Sequence, residues 1–331
     1  MFDLAFMSAT FMNQPVWMWL VFAVIVVVIL VLDLGVMNRK EHEIGAKESL
    51  VFSAFYVSIG LLYGLWIWYI LGKVSAAEYF TGFIVEETLS IDNIFVMALL
   101  FSFFQVPRLY QHRVLFWGIL GAIIMRGLMI GVGAALVTRF EWILDVFAVF
   151  LIFTGFKMMC GTDKPADVGR NPILVFIQKH FRVTKELHGH NFFVSQPVRE
   201  GGRKVLWITP LFLCLLMIEF ADVIFAIDSV PAIFMITKDP LIVYTSNIFA
   251  ILGLRSLYFV LAAMISRFHY LKYALALLLI FIGSKAFIAP LMGMEKFPIG
   301  WSLVITFAIL GSGIGYSLMK TKKNGSPPAR G

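Results

Sequence analysis

Charge is scarce in this chain, and cysteine is scarcer. Asp, Glu, Lys and Arg make up 14% of the 331 residues and apolar residues 60%, whereas a soluble domain carries about 25% charged residues. A water-soluble globule is therefore excluded. Two cysteines, Cys160 and Cys214, leave no basis for a disulfide framework or a thiolate metal cluster. No HExxH, GxSxG or P-loop motif occurs, so an enzyme is not expected, and any transport would draw on a gradient rather than on a nucleotide. The six histidines all fall outside or at the edges of the apolar runs, and His188 and His190 read as solvated loop. The opening stretch MFDLAFMSATFMNQP lacks the basic region of a signal peptide, so the first apolar run is expected to be retained.

Long apolar runs dominate what is present. Stretches of roughly 20 residues, enough to cross about 30 Å of hydrocarbon as a helix, lie at 17–37, 49–71, 79–104, 114–138, 142–160, 206–236, 241–266, 270–291 and 299–319. The expected fold is an all-α polytopic membrane protein of about nine transmembrane helices embedded in the lipid bilayer. The net charge of +7 would point to nucleic acid in a soluble protein. Here it concentrates in alternate connecting segments, with eight Lys and Arg between residues 161 and 205, four in 320–331 and none in the first 16. Cytoplasmic loops accumulate such residues. This charge is a topology signal, with the N-terminus outside and the C-terminus inside, and no nucleic-acid partner is expected.

Against that background a few acids stand out. FIVEETLSIDNIFV carries Glu86, Glu87 and Asp92, and LLMIEFADVIFAIDSVPAIF carries Glu219, Asp222 and Asp228. Carboxylates inside membrane segments are costly, rarely face lipid and mark ion or proton pathways. Asp33, near the end of the first run, reads as a helix-end or pairing residue. Of the four intramembrane bases, Lys157 and Lys285 are near span ends and can snorkel, whereas Arg126 and Arg255 are central and need carboxylate partners. Seven acids against four bases leave an excess of three negative charges if all ionise. Such an excess calls for bound cations or protons.

The two acidic segments belong to an internal repeat. A shift of 128 residues lays RFEWILDVFAVFLIFTGFKMM, from Arg139, on RFHYLKYALALLLIFIGSKAF, from Arg267, with eight of 21 positions identical, Gly155 on Gly283 and Lys157 on Lys285 among them. Upstream the offset is 136, placing Asp92 on Asp228 and Glu86 on Asp222. Each repeat holds three spans, an odd number, so the two run in opposite senses across the membrane. Inverted repeats with polar groups near the midplane are a common plan of secondary transporters. The chain then divides into two leading spans (1–78), repeat one (79–160), a cytosolic linker (161–205), repeat two (206–291), and a last span with a basic tail (292–331). In the linker, NPILVFIQKHFRVT reads as a short helix on the cytosolic leaflet.

Glu219 and Asp222 share a helix face, and Asp228 would point about 120° away from Asp222 on a regular helix. Pro231 is expected to kink that helix and free the Ile227 carbonyl as a further ligand. Asn93, Ser229 and Asn247 are candidate hydrogen-bonders or additional ligands. Gly118, Gly121, Gly253 and Gly283 are read as sites of close helix packing. Hard oxygen donors without thiolate favour manganese, magnesium or calcium.

The segments EETLSIDNIFV, YQHRVLFWGILGA, IEFADVIFAIDSVPAIF and TSNIFAILGLRSLYF resemble the signature segments of the TerC family of integral membrane proteins, including its alkali-inducible Alx branch. The similarity spans roughly residues 17–319. It implies a polytopic bacterial inner-membrane protein that exports manganese; with the excess of acids and the repeat plan, the expected activity is secondary transport coupled to protons, with the metal as substrate and no bound cofactor. The metal-handling acids it implies are Glu86, Asp92, Glu219, Asp222 and Asp228. The alternative is a membrane scaffold or insertion factor, the role implied by some plastid relatives.

The charge pattern makes the topology testable. Reporter fusions after Asn38, Arg113, Gly202 and Lys320 are expected to report cytoplasm, and an external reading at Gly202 would break the inverted-repeat argument.

Overall fold

The structure is a computed structural model describing residues 9–33, 45–140, 142–160, 172–197, 204–264, 271–294 and 297–323; the side chains of Asp92, Asp228 and Arg255 lie outside the description. A small hairpin of β1 (Thr10–Phe11) and β2 (Gln14–Pro15) leads into α1 (Val16–Leu32) and α2 (Ala46–Leu71). Then follow α3 (Lys73–Leu89), α4 (Ile91–Phe103), α5 (Arg108–Arg139) and α6 (Ile143–Cys160). Next come α7 (Pro172–His180), β3 (Phe193–Pro197) and β4 (Lys204–Ile208), and then α8 (Pro210–Phe234), α9 (Pro240–Met264), α10 (Leu271–Leu291) and α11 (Ile299–Lys323).

Six helices among the described residues are long and apolar enough to cross a membrane, those being α2, α5, α6, α8, α9 and α10, with shorter apolar stretches in α1 and α11. The mostly helical, multi-pass class is as expected, but an uninterrupted third span at 79–104 is not. Its chain is divided at Ser90, where Asn93 N donates to Ser90 O at 3.1 Å. No proline is involved. Side-chain hydroxyls supply local alternatives to the helix ladder, with Thr88 Oγ1 bonding Ile84 O at 2.6 Å and Ser90 Oγ bonding Glu86 Oε1 at 3.1 Å. In contrast, α8 continues through Pro231 to Phe234 as one helix. Its start is fixed by Pro210 and by Thr209, whose hydroxyl accepts from Phe212 N at 3.4 Å.

The described part of the linker holds more than a short helix. β3 and β4 form an antiparallel hairpin with Phe193 opposite Ile208 and Pro197 opposite Lys204. Leu174 of α7 is buried in one cluster with Met97, Leu115, Leu211 and Leu213, so this segment is packed onto the ends of α4, α5 and α8. Five-residue strands with one half-buried face carry little periodic signal in sequence, which is why the hairpin was not expected. At the opposite end, Gln14 Nε2 donates to Asp239 Oδ2 at 2.6 Å, tying the first hairpin to the entry of α9. Trp17, Trp66, Trp19 and Tyr244 gather near it, with ring centroids 5.8 and 6.2 Å apart in the two pairs, in the manner of an interfacial aromatic belt.

Packing between the candidate repeats is reciprocal. α3 packs on α9 and α8 packs on α5, while α6 and α10 pack against each other. At that last crossing a Cβ on Gly155 would lie 2.7 Å from Ala276 O and 2.6 Å from Ile280 Cγ1, and one on Gly283 would lie 2.5 Å from Ala148 O and 2.9 Å from Ile152 Cγ1. In the 128-residue register Ala148 corresponds to Ala276 and Ile152 to Ile280. The same contact is thus made twice, once in each direction, and glycine is what lets the backbones touch. Lys285 does not snorkel; it is buried and donates to Ser302 Oγ at 2.9 Å, joining α10 to α11.

This crossing yields a stability test. Gly283→Ala is expected to destabilise the protein by about 1–3 kcal/mol through overpacking against backbone, seen as a lower Tm of the solubilised protein. Gly311→Ala, where a methyl group meets nothing within 4 Å, is expected to leave Tm unchanged.

Candidate functional site

The helices converge on Arg126, whose side chain is 1% exposed at the middle of α5. Its Nη1 donates to Glu86 Oε1 of α3 and to Asn247 Oδ1 of α9, and lies 3.5 Å from Ser229 Oγ of α8. Nε and Nη2 straddle Asp222 of α8, each 3.4 Å from a carboxylate oxygen. The planar guanidinium suits this task because its fork can meet a carboxylate at two points while a third N–H serves another partner. Glu86 is completed by Ser90 Oγ at 3.1 Å and by Asn247 Nδ2 at 3.3 Å.

Two carboxylates share one buried cation. Glu86 and Asp222, which a 136-residue offset superposes in sequence, are both drawn to Arg126 of α5. A buried charge must be paired and hydrogen-bonded to be tolerated, and this network meets that demand while leaving the trio net negative when both acids ionise. Beside it lies a cavity of about 330 Å³, lined among others by Glu86, Ser90, Asn93, Arg126, Lys157 and Ser229. Asn93 Oδ1 is buried there without a hydrogen-bond partner among the described residues, an oxygen donor available to a guest. The chamber has room for a divalent cation retaining part of its water.

The expected residues are distributed as follows. Glu86, Asp222, Ser229 and Asn247 meet around Arg126, and Asn93 lines the adjoining cavity. Glu219 faces α5 one turn before Asp222, where Gly121 makes room for it; a Cβ at Gly121 would be 2.2 Å from Glu219 Oε2. Gly121 therefore seats a carboxylate rather than a neighbouring helix. Asp92 and Asp228 are on α4 and α8, one position before Asn93 and Ser229, and their side chains lie outside the described residues, as does that of Arg255. Among the described residues no three His, Cys, Asp or Glu groups form a ready metal cage.

Sequence reading missed Ser90 and the placement of Lys157 on the cavity wall. Ser90 had a usable signal, lying four residues after Glu86 and hence on its face of the helix. His188 remains a loop residue, its Nδ1 lying 3.0 Å from Glu186 O and its Nε2 2.6 Å from Gln196 Nε2. Asp33 pairs as expected, accepting from Tyr56 OH at 3.0 Å.

Removing one member of such a cluster is worse than removing charge on both sides. Arg126→Met is expected to destabilise by about 3–5 kcal/mol by stranding buried carboxylates, and adding Glu86→Gln and Asp222→Asn is expected to recover part of that loss. Thermal or denaturant unfolding of the purified variants checks both.

Comparison with known proteins places the chain. Residues 71–325 match the family described as "Integral membrane protein TerC family". An "Uncharacterized membrane protein" of Rickettsia bellii is 47% identical over 293 residues, 88% of this chain and 95% of its own length. A "Putative membrane-bound redox modulator Alx" of Salmonella typhi is 43% identical over 302 residues, covering 88% and 91%. A membrane protein of Myxococcus xanthus is 43% identical over 305 residues, covering 92% and 93%. No solved structure matches. The polar signature segments that meet at Arg126 lie within the matched region, and the protein belongs to the TerC family of integral membrane proteins.

Proposed function

We propose that the protein is a secondary transporter that exports a divalent metal cation, manganese first among them, from the cytoplasm in exchange for protons. The carrying observation is the shared guanidinium: Arg126 holds Glu86 and Asp222 together at the wall of a polar cavity. Such an arrangement acts as an internal counter-ion. With no metal bound, Arg126 neutralises the carboxylates; an entering cation competes for the same oxygens and displaces the guanidinium from them. Asn93, Ser90 and Ser229 add neutral oxygens at the wall. Asp92 and Asp228, next to those cavity residues in both repeats, supply the further negative charge that a divalent ion requires, and Glu219 lies on the same face of α8 as Asp222. A set composed wholly of oxygen donors favours manganese, magnesium or calcium over softer metals.

The reciprocal packing of α3 on α9, of α8 on α5 and of α6 on α10 supports two inverted repeats related by a pseudo-two-fold axis, with nine crossings in all, the divided α3 and α4 segment forming the third. Rocking one repeat against the other around Arg126 would open the cavity to each side in turn. The Lys and Arg pattern supports an inner-membrane protein with its N-terminus outside and its C-terminus in the cytoplasm. The redox role in the name of the Alx relatives is compatible with this reading, since manganese is itself redox-active. Both cysteines here are free, Cys160 exposed and Cys214 buried.

Asp92→Asn and Asp228→Asn are expected to abolish manganese flux in reconstituted liposomes while protein levels stay near normal, because an amide keeps the size and removes the charge. Wild-type flux in both variants would place the site elsewhere. A wild-type protein that moves neither manganese, magnesium nor calcium would favour a scaffold.

A further inference from the structure

The described part of the linker frames a cleft that the Arg126 site does not use. It measures about 830 Å³ and opens between the end of α4, the segment after α7 and the start of α8. None of its lining residues borders the cavity beside Arg126. That volume suits a small molecule or a lipid headgroup. Its walls are fixed by hydrogen bonds to the backbone. At the end of α4, Val106 N donates to Phe101 O at 2.9 Å, and Gln111 Nε2 donates to Val106 O at 3.0 Å. Across the cleft, Ile208 N donates to Arg182 O at 2.8 Å and Thr184 N to Ile208 O at 2.9 Å, so residues 182–184 are tied to β4. Arg182 and Lys185 therefore extend from a held segment, and both are exposed.

The lining is part ionic and part apolar. Arg182 and Lys185 meet there with Glu186, which leaves these three groups with one net positive charge. Phe103 and Phe181 line the cleft too, and both rings are open to the surroundings, Phe181 at 53%. Phe176 carries a similar apolar surface on α7 at 57% exposure, while Leu174 on the other side of that helix is buried against the ends of α4, α5 and α8. The cleft wall includes Pro210, the first residue of α8, a helix long and apolar enough to cross a membrane. The cleft thus lies where headgroups meet acyl chains. Basic pockets between membrane helices take acidic headgroups at this depth, and apolar side chains on an amphipathic surface settle at the boundary of headgroups and chains.

We propose that this cleft binds an anionic phospholipid, with its phosphate diester between Arg182 and Lys185 and its acyl chains leaving past Phe103 and Phe181. The single negative charge of a phosphodiester matches the charge of the lining, whereas a choline headgroup brings a cation toward two bases. Glu186 accepts hydrogen bonds from headgroup hydroxyls, which favours a glycerol headgroup. The bound lipid ties the linker to α4 and α8 from the membrane side. The proposal stands apart from the transport reading and uses none of its residues.

Native mass spectrometry of the purified full chain, offered equal amounts of phosphatidylglycerol and phosphatidylcholine, tests it. Wild type is expected to retain phosphatidylglycerol preferentially. Arg182→Glu with Lys185→Glu is expected to weaken that retention by about tenfold, since each base near an anionic lipid is worth about fivefold. The charge-matched variant Lys204→Glu with Lys320→Glu, at residues that do not line the cleft, is expected to keep the wild-type preference. Thermal unfolding checks that both double variants are folded; if the first is not, Arg182→Gln alone is expected to lose about fivefold. An unchanged preference in the cleft variants, or an equal loss in the charge-matched one, would overturn the proposal. Phe181→Ala is expected to lower phosphatidylglycerol retention without altering competition by inorganic phosphate. Displacement of the lipid by inorganic phosphate at equal concentration would mean a site for soluble phosphate and would overturn the lipid assignment.

Discussion

One buried guanidinium organises this protein. Arg126 is 1% exposed, and leaving it unpaired in a membrane interior would cost more than most single contacts in the fold can return. Its partners come from three other helices, so α3, α8 and α9 must each approach α5 at one level. Much else follows from that requirement. The polar run from Glu86 to Ser90 divides the third apolar segment into α3 and α4, and Asn247 is placed to accept from Arg126 and donate to Glu86 at once. A pair of acids on one base also leaves the cavity wall net negative when both acids ionise.

Glycine has two distinct roles around this centre. At the crossing of α6 and α10, Gly155 and Gly283 let backbone meet backbone in a reciprocal contact. At Gly121 and Gly253 the space freed by the missing Cβ is filled by the carboxyl groups of Glu219 and Glu87. The first use holds the helices together without a hydrophobic driving force, which lipid cannot supply. The second creates seats for acids inside a helix interface, where any larger side chain would force them out.

The polar interior consequently separates into two compartments on either side of α3. Glu86 faces the guanidinium and the cavity beside it, and Glu87 faces Gly253 of α9, whose carbonyl oxygen accepts from Ser53 and Ser256. Successive residues on a helix point in different directions, so two adjacent glutamates can face two surroundings that share no hydrogen bond among the described residues.

Composition and periodicity alone determined the membrane environment, most of the helices and the inventory of acids, because apolar length and the rarity of intramembrane charge are local properties of the chain. The need of Arg126 for carboxylates was legible too, since burial of a lone charge is prohibitive wherever it occurs. Which acids answer that need was not legible: Glu86 and Asp222 are 40 and 96 residues from Arg126, and only helix packing brings them together. The same holds for the burial of Lys285 against Ser302, for the hairpin in the linker and for the carboxyl seats at Gly121 and Gly253. Each depends on the side chain that a neighbouring helix presents at one level, and that is set by the tertiary arrangement and not by the local sequence.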